Sequence, residues 1–279
     1  MSAREQTRER AQSTATDDAP ALPPVPADSL KPPTLVDRAI SVALWGAGLA
    51  FFAPVSTLMT LTCATLGLDR SMPIQRFFAT WTVRLTGSRW RAHVHPDVDP
   101  KLSYVFVHNH TNHFDFVFMH NTTPHYKRGL ELESHFKIPI YGAMMKTRGG
   151  IAVKPGVKGQ TPEVLAGMRE ALQGGHSILT FPEGHRTLDG RLGRFRKGVF
   201  FLARDLGVPV VPVTVTGAYD MMRKGSLVIR PGHTITVHVD APIETEGLND
   251  DEIPALMERV HGQMSQHVDD YWRSRGWPG

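Results

Sequence analysis

Residues 108 to 116 read HNHTNHFDF and gather three histidines, two asparagines and an aspartate into nine positions. Side chains of these types at this density hold a metal ion, or else one imidazole paired with a carboxylate moves a proton. His108, His110 and His113 fall at the spacing of an H-x-H-x-D-H ligand set, but its aspartate slot is Asn112. A neutral amide is a poor ligand for a divalent cation. The relay needs only His110 and Asp115. With His110 in the turn after a strand and Asp115 in the first turn of a helix capped by Thr111 or Asn112, the two side chains meet. Asp115 then fixes the tautomer and steadies the charged ring, and the other ring nitrogen takes a proton from a hydroxyl. This is the base half of a serine–histidine–aspartate triad, with the substrate's own alcohol in place of the serine.

Two later stretches carry related chemistry. FPEGHRT, Phe181 to Thr187, follows the apolar run SILT. Glu183 offers an acceptor, Gly184 a close backbone approach, and Arg186 a bidentate clamp for an anion. VPVVPVTVTG, Val208 to Gly217, contains Pro209 and Pro212; prolines of this kind belong at the starts or edges of strands.

These residues need a scaffold, and the rest of the chain supplies one. The 279 residues, 41% of them hydrophobic, suffice for one sizeable domain with appendages. The net charge of +4 favours phospholipid surfaces or phosphorylated substrates as partners, and nucleic acid is not expected. The single cysteine, Cys63, excludes an internal disulfide and a multi-cysteine zinc site. It is read as a lipid-facing or packing residue. Residues 1–36 mix Ala, Pro, Ser, Thr and charges without periodicity and are expected to be a disordered tail, with no removable signal peptide. Residues 37–70 are expected to form a membrane-associated helical segment, because Ala39 to Leu68 contains no charge and exceeds the ~20 residues that cross a hydrocarbon core. Pro54 near its middle predicts a kinked single span or a re-entrant hairpin. Arg70, Arg76, Arg84, Arg89 and Arg91 follow and place the next domain on the cytoplasmic side. Residues 71–279 read as one α/β domain with a largely parallel sheet. Strands are expected at SYVFVH, GIAV, SILTF, VPVVPVTV, LVIR and TITVHV, and helices over Pro162 to Gln173, Lys197 to Leu206, and from Asp250 onward.

In this order and spacing, His110 with Asp115, Phe181 to Arg186, and Val208 to Pro212 resemble the H-x4-D, F-P-E-G-x-R and V-P-x-x-P blocks of the glycerolipid acyltransferase family over roughly residues 85–240. The resemblance implies that family's α/β fold, with membrane-seated helices ahead of it. It further implies acyl transfer from acyl-CoA or acyl-carrier protein to a lysolipid acceptor at a membrane phospholipid surface, with lysophosphatidate leading, as a step of phospholipid biosynthesis. His110 would be the base and Asp115 its orienting partner; Glu183, Gly184 and Arg186 would hold the acceptor, Arg186 on its phosphate. No metal or other cofactor is implied, since the thioester already activates the carbonyl. Two positions depart from the family. GGIAVKP, Gly149 to Pro155, places Lys154 and a proline where a basic residue usually ends the block. Leu132 stands where a lysine is frequent, so Lys137 and Lys154 become candidate substitutes.

Other features have plainer readings beside functional ones. His108 and His113 pack and hydrogen-bond, and His185 lies at the surface. Arg191, Arg194, Arg196 and Lys197 form a solvated face or attract carrier or headgroup phosphates. Trp272 and Trp277 touch the interface or pack. Three other functions stay open: the same fold acting on another hydroxyl or amine acceptor such as an amino-acid lipid, a metal-dependent hydrolase using the histidine cluster, and a non-catalytic membrane-remodelling protein.

Overall fold

The computed structural model describes residues 32–154 and 161–276. The tail expected at residues 1–36 falls almost wholly outside them, as do Pro155 and Trp277. The first element is helix α1, Leu35–Leu66, opened by a capping box in which Asp37 N–H donates to Thr34 Oγ1 at 3.1 Å and Asp37 Oδ2 accepts from Thr34 N–H at 2.8 Å. It runs unbroken through Pro54, so the hairpin does not form. Thr57, Thr60, Thr62 and Thr65 each return their hydroxyl to the carbonyl four residues earlier. This satisfies those four hydroxyls within the helix, without water. Both ends of α1 are tied to the body: Ser41 exchanges hydrogen bonds with the Ile229 main chain, and Cys63 is buried against Ser71. Cys63 is thus a packing residue.

A turn at Asp69–Ser71 leads into α2, Met72–Leu85. The body is then a seven-stranded sheet of β1 Arg89–Val94, β2 Val105–His108, β3 Lys127–Leu132, β4 Ile151–Val153, β5 Ser177–Thr180, β6 Val210–Thr216 and β7 Thr234–Val239. The order is β1-β7-β6-β2-β5-β3-β4, and every neighbouring pair is parallel except β6 with β7. Central β2, VFVH, is buried on both faces, as expected of a continuous apolar run flanked by parallel neighbours. Val105 and Val107 face one core beneath α5 Thr161–Gln173, α6 Gly198–Leu206 and α8 Ile253–Ser274. Phe106 faces the other, beneath α1, α2, α3 Asp115–His120 and α4 Tyr141–Thr147. A short α7, Ala218–Met221, follows β6.

Two expectations change, and one pair of alternatives, for Trp272, resolves to packing. LVIR, Leu227 to Arg230, is not a strand: its Ile229 main chain bonds to the Ser41 hydroxyl and its Leu227 carbonyl accepts from Trp45 Nε1 at 2.7 Å. The segment spends its polar groups on α1. Pro212 lies inside a central strand, not at a start or edge. It is tolerated because the β6–β7 ladder stops at Val213 and resumes as a single bridge between Val210 and Ile243, leaving a gap where no proline N–H is needed. Trp272 does not reach an outer surface; it is buried against Tyr219, with Nε1 donating to Gly190 O at 3.2 Å.

Candidate active site

The chain leaves β2 at His108 and turns at once. Asn109 extends the sheet by side chain, its Nδ2 donating to Val215 O at 3.0 Å and its Oδ1 accepting from Val215 N–H at 2.7 Å. Asn112 anchors the far side of the turn, donating to Ala218 O at 2.7 Å and accepting from Phe114 N–H at 2.8 Å. The two asparagines of the motif are therefore staples rather than ligands. Between them His110 is presented at the end of the sheet.

His110 Nδ1 lies 2.7 Å from Asp115 Oδ2, and because a carboxylate only accepts, Nδ1 carries the proton and Nε2 is the free acceptor. Asp115, at the first position of α3, is 1% exposed. Its oxygens also accept from Thr111 N–H at 2.6 Å, Asn112 N–H at 3.0 Å and the Thr111 hydroxyl. A buried carboxylate is costly unless its lone pairs are filled, and here four donors fill them. The capping direction is the reverse of that expected: Thr111 and Asn112 do not cap α3, and Asp115 gathers their N–H groups instead.

The FPEGHRT turn holds the other side of the base. His110 N–H donates to Glu183 Oε1 at 2.7 Å, and His110 O accepts from Thr187 N–H at 2.7 Å. The ring stacks on Phe181, centroids 4.3 Å apart. Glu183 is buried, its second oxygen taken by Gly193 N–H at 2.8 Å, and burial pushes its carboxyl up to about 7. Glu183, expected to hold the acceptor, has both oxygens on backbone donors, His110 N–H and Gly193 N–H. Gly184 turns the chain at φ 71°, and a Cβ there would meet Arg196 Cζ at 2.6 Å. Arg186 reaches the rim and donates from Nη1 to His113 Nε2 at 2.7 Å. Burial and this guanidinium hold His113 below the ordinary imidazole value, so it accepts as a neutral ring.

Of the remaining candidates, His108 is wholly buried with Nδ1 on Asn109 O, and burial lowers it to about 4. The rings of residues 108, 110 and 113 thus bind three different partners, and no cluster of three His, Cys, Asp or Glu among the described residues is placed to hold a metal ion. Lys137 and Lys154 are exposed. Lys154 lies 3.5 Å from Glu133, and Glu131 nearby in the chain holds His135 and Tyr141. His185 is exposed. An apolar cavity of about 270 Å³ is lined by Leu44, Trp45, Gly48 and Phe52 of α1 and by Phe114, the residue before Asp115.

A family model described as Acyltransferase matches residues 89–216, which span β1 to β6 and both halves of this site. A chloroplastic 1-acyl-sn-glycerol-3-phosphate acyltransferase of Brassica napus is 34% identical over 50% of this chain and 40% of its own length. One from Chlamydomonas reinhardtii is 29% identical over 67% and 58%. The human 1-acyl-sn-glycerol-3-phosphate acyltransferase alpha is 27% identical over 75% of each. The crystal structure of the 1-acyl-sn-glycerophosphate (LPA) acyltransferase PlsC of Thermotoga maritima superposes with a TM-score of 0.73 at 18% identity, covering 85% of this chain and 96% of that one. Residues 89–216 thus match the acyltransferase family model, and the fold is that of the PlsC structure. The chain aligns with only 40% and 58% of the length of the first two relatives. Asn109 and Gly193 are the members of this site that carried no separate signal in the sequence; each works through a single partner residue, Val215 and Glu183.

Proposed function

We propose that the protein transfers an acyl group from an acyl thioester, acyl-CoA or acyl-carrier protein, to the free hydroxyl of a lysophospholipid, with lysophosphatidate the leading acceptor. The observation that carries this reading is the His110–Asp115 contact of 2.7 Å, which leaves His110 Nε2 unprotonated on a ring 26% exposed. Nε2 takes the hydroxyl proton as the alcohol oxygen attacks the thioester carbon, and Asp115 steadies the imidazolium. The tetrahedral intermediate collapses by breaking the carbon–sulfur bond, and the proton on Nε2 passes to the departing sulfur, which leaves as the thiol and returns His110 to its starting form. Glu183 positions the ring through the His110 backbone, and Arg186 meets the acceptor phosphate. The acyl chain lies in the apolar cavity beside Phe114.

The exposed apolar face of α1, with Val42, Leu49, Leu58 and Leu61 outward, seats the protein on a membrane. Both ends of α1 are tied to one body, so the seat is on one leaflet, with the acyltransferase domain toward the cytoplasm. A second acceptor class has its own support: Leu132 is 40% exposed, and Lys154 is neutralised by Glu133, so the phosphate-binding charge is thinner than usual for the family. The test is labelled acyl-CoA with detergent-solubilised protein and a panel of lysolipids. Acylation of lysophosphatidate, lost in His110→Ala, is expected; acylation only of amine-bearing acceptors moves the assignment to the second class, and acylation of none overturns it.

A further inference from the structure

A second and larger cavity, about 870 Å³, lies between α2, the start of β1 and the segment after α3. It is within the range of sites that hold small ligands. Strand register places it: Arg91 pairs with Thr236, which pairs with Thr216, three positions beyond the level of His108. The cavity therefore opens at the same end of the sheet as the His110 site, three strand spacings or about 14 Å to the side. Its lining has two unusual properties. Four arginines, Arg76, Arg84, Arg89 and Arg91, contribute to it, and no carboxylate does. Of the residues lining it, Ser88 Oγ, Trp90 Nε1, Asn121 Oδ1 and Thr123 Oγ1 are buried without a hydrogen-bond partner among the described residues, and Ser88 and Thr123 are 6% and 4% exposed. Buried polar atoms are nearly always partnered, so four orphans in one cavity mark a place for something polar.

The surroundings say what kind of ligand fits. Phe77 and Trp81 project from α2 at 45% and 41% exposure, beside Arg76, Thr80 and Arg84, and the Arg84 guanidinium sits 5.3 Å over the Trp81 ring. Aromatics of this kind belong at a membrane interface. The cavity wall adds Ala79, Val83 and Val117. We propose that this cavity binds the headgroup of an anionic membrane phospholipid. Its phosphate is held by the arginines and the orphaned hydroxyls, and its chains lie along the apolar outer face of α1 and α2. Arginine forks match phosphate oxygens in pairs, and the Ser88 and Thr123 hydroxyls supply the inner donors. The lipid is a resident one, separate from the acceptor consumed at His110.

The experiment is native mass spectrometry of the full chain released from phosphatidylcholine nanodiscs with and without phosphatidylglycerol. One retained phosphatidylglycerol is expected. Arg89→Ala with Arg91→Ala should weaken its retention by roughly tenfold or more. Thr123→Val, which changes no charge and keeps the shape, should weaken it several-fold. Arg169→Ala with Arg259→Ala removes the same charge from exposed positions on the helices of the other face and should leave retention as it was. Equal loss in that control would show diffuse surface attraction and overturn the site. No retained lipid in the wild type would also overturn it, leaving a cavity that holds water. Competition with inorganic phosphate and with coenzyme A separates the sources: displacement by either at low concentration would assign the cavity to a free phosphate compound and reject the lipid. If the double arginine variant loses its cooperative thermal unfolding, Thr123→Val decides. The readout is binding, so it stands or falls independently of acyl transfer.

Discussion

Around Asp115 four donors converge on two carboxylate oxygens, whereas between α2 and β1 four buried polar atoms of residues lining a cavity have no hydrogen-bond partner among the described residues. The two regions share one end of one sheet and a similar supply of polar side chains. The first is complete before any ligand arrives, as the proton transfer proposed for it requires, since reorganising dipoles during reaction would cost rate. The second is incomplete and gains by filling. A polar cluster in a fold is thus better judged by its unpaired atoms than by its composition.

The largest expected effects follow from breaking the complete site. His110→Ala should lower kcat by about a hundredfold or more, the scale of a lost general base. Normal acylation by that variant would remove His110 from the mechanism. Asp115→Asn puts an amide N–H₂ among donors that need acceptors, so kcat and thermal stability should fall together. Gly193→Ala drives a Cβ to 2.8 Å from Glu183 Oε2, the atom that binds the Gly193 N–H. A loss of roughly tenfold in kcat with an intact fold is expected, as for other displaced positioning groups. Unchanged turnover would show that Glu183 merely fills space.

Glu183 also gives the site a pH signature. Its carboxyl is raised from 4.5 to about 7 by burial, so the folded state holds the proton more tightly than the unfolded chain does. Its stabilising contribution is full below the unfolded value and is lost as pH rises through the folded value. Between about pH 5 and pH 8 the wild type should therefore lose thermal stability relative to Glu183→Gln. Melting curves of the two proteins across that range check the sign; parallel curves would mean that Glu183 titrates as an ordinary carboxylate.

How much of this was legible beforehand differs by element. β2, β5, β6 and β7 are apolar runs and read directly as strands, as does the amphipathic stripe of α8. β1, RWRAHV, and β3, KRGLEL, escape because an edge strand and a half-covered one carry charges on their open faces. LVIR has strand composition but spends its bonds on Ser41, a partner 188 residues away. In the site, the five-residue spacing of His110 and Asp115 is a local fact and could be read. The grip of Glu183 on the His110 backbone spans 73 residues, and no local pattern encodes it. The cavity arginines were visible only as a basic run after an apolar one; that Arg89 and Arg91 share a wall with Thr123 is a fact of packing.

At the rim, Arg186→Ala should raise the apparent KM for lysophosphatidate several-fold and leave that for an acceptor without a phosphate monoester unchanged. An equal rise for both acceptors would make Arg186 a prop for His113 rather than a phosphate contact.

The apolar cavity beside Phe114 sharpens the contrast most finely, because it has polar atoms in its lining and leaves none of them open. Thr82 and Thr86 donate to Phe78 O and Val83 O, and Trp45 Nε1 to Leu227 O. Such a cavity selects an apolar occupant, as a fatty chain is. Gly48 borders it, and a Cβ built there meets nothing within 4 Å, so a side chain at this position grows into open space. Gly48→Leu also replaces a poor helix former inside α1 with a good one, so the helix is not weakened. The variant should therefore fold normally, turn over short-chain donors at close to the wild-type rate, and lose several-fold on the longest chains that the wild type accepts. Acylation rates across a series of acyl-CoA lengths make the measurement. An unaltered chain-length profile would place the acyl group elsewhere and leave this cavity a packing defect between α1 and α2.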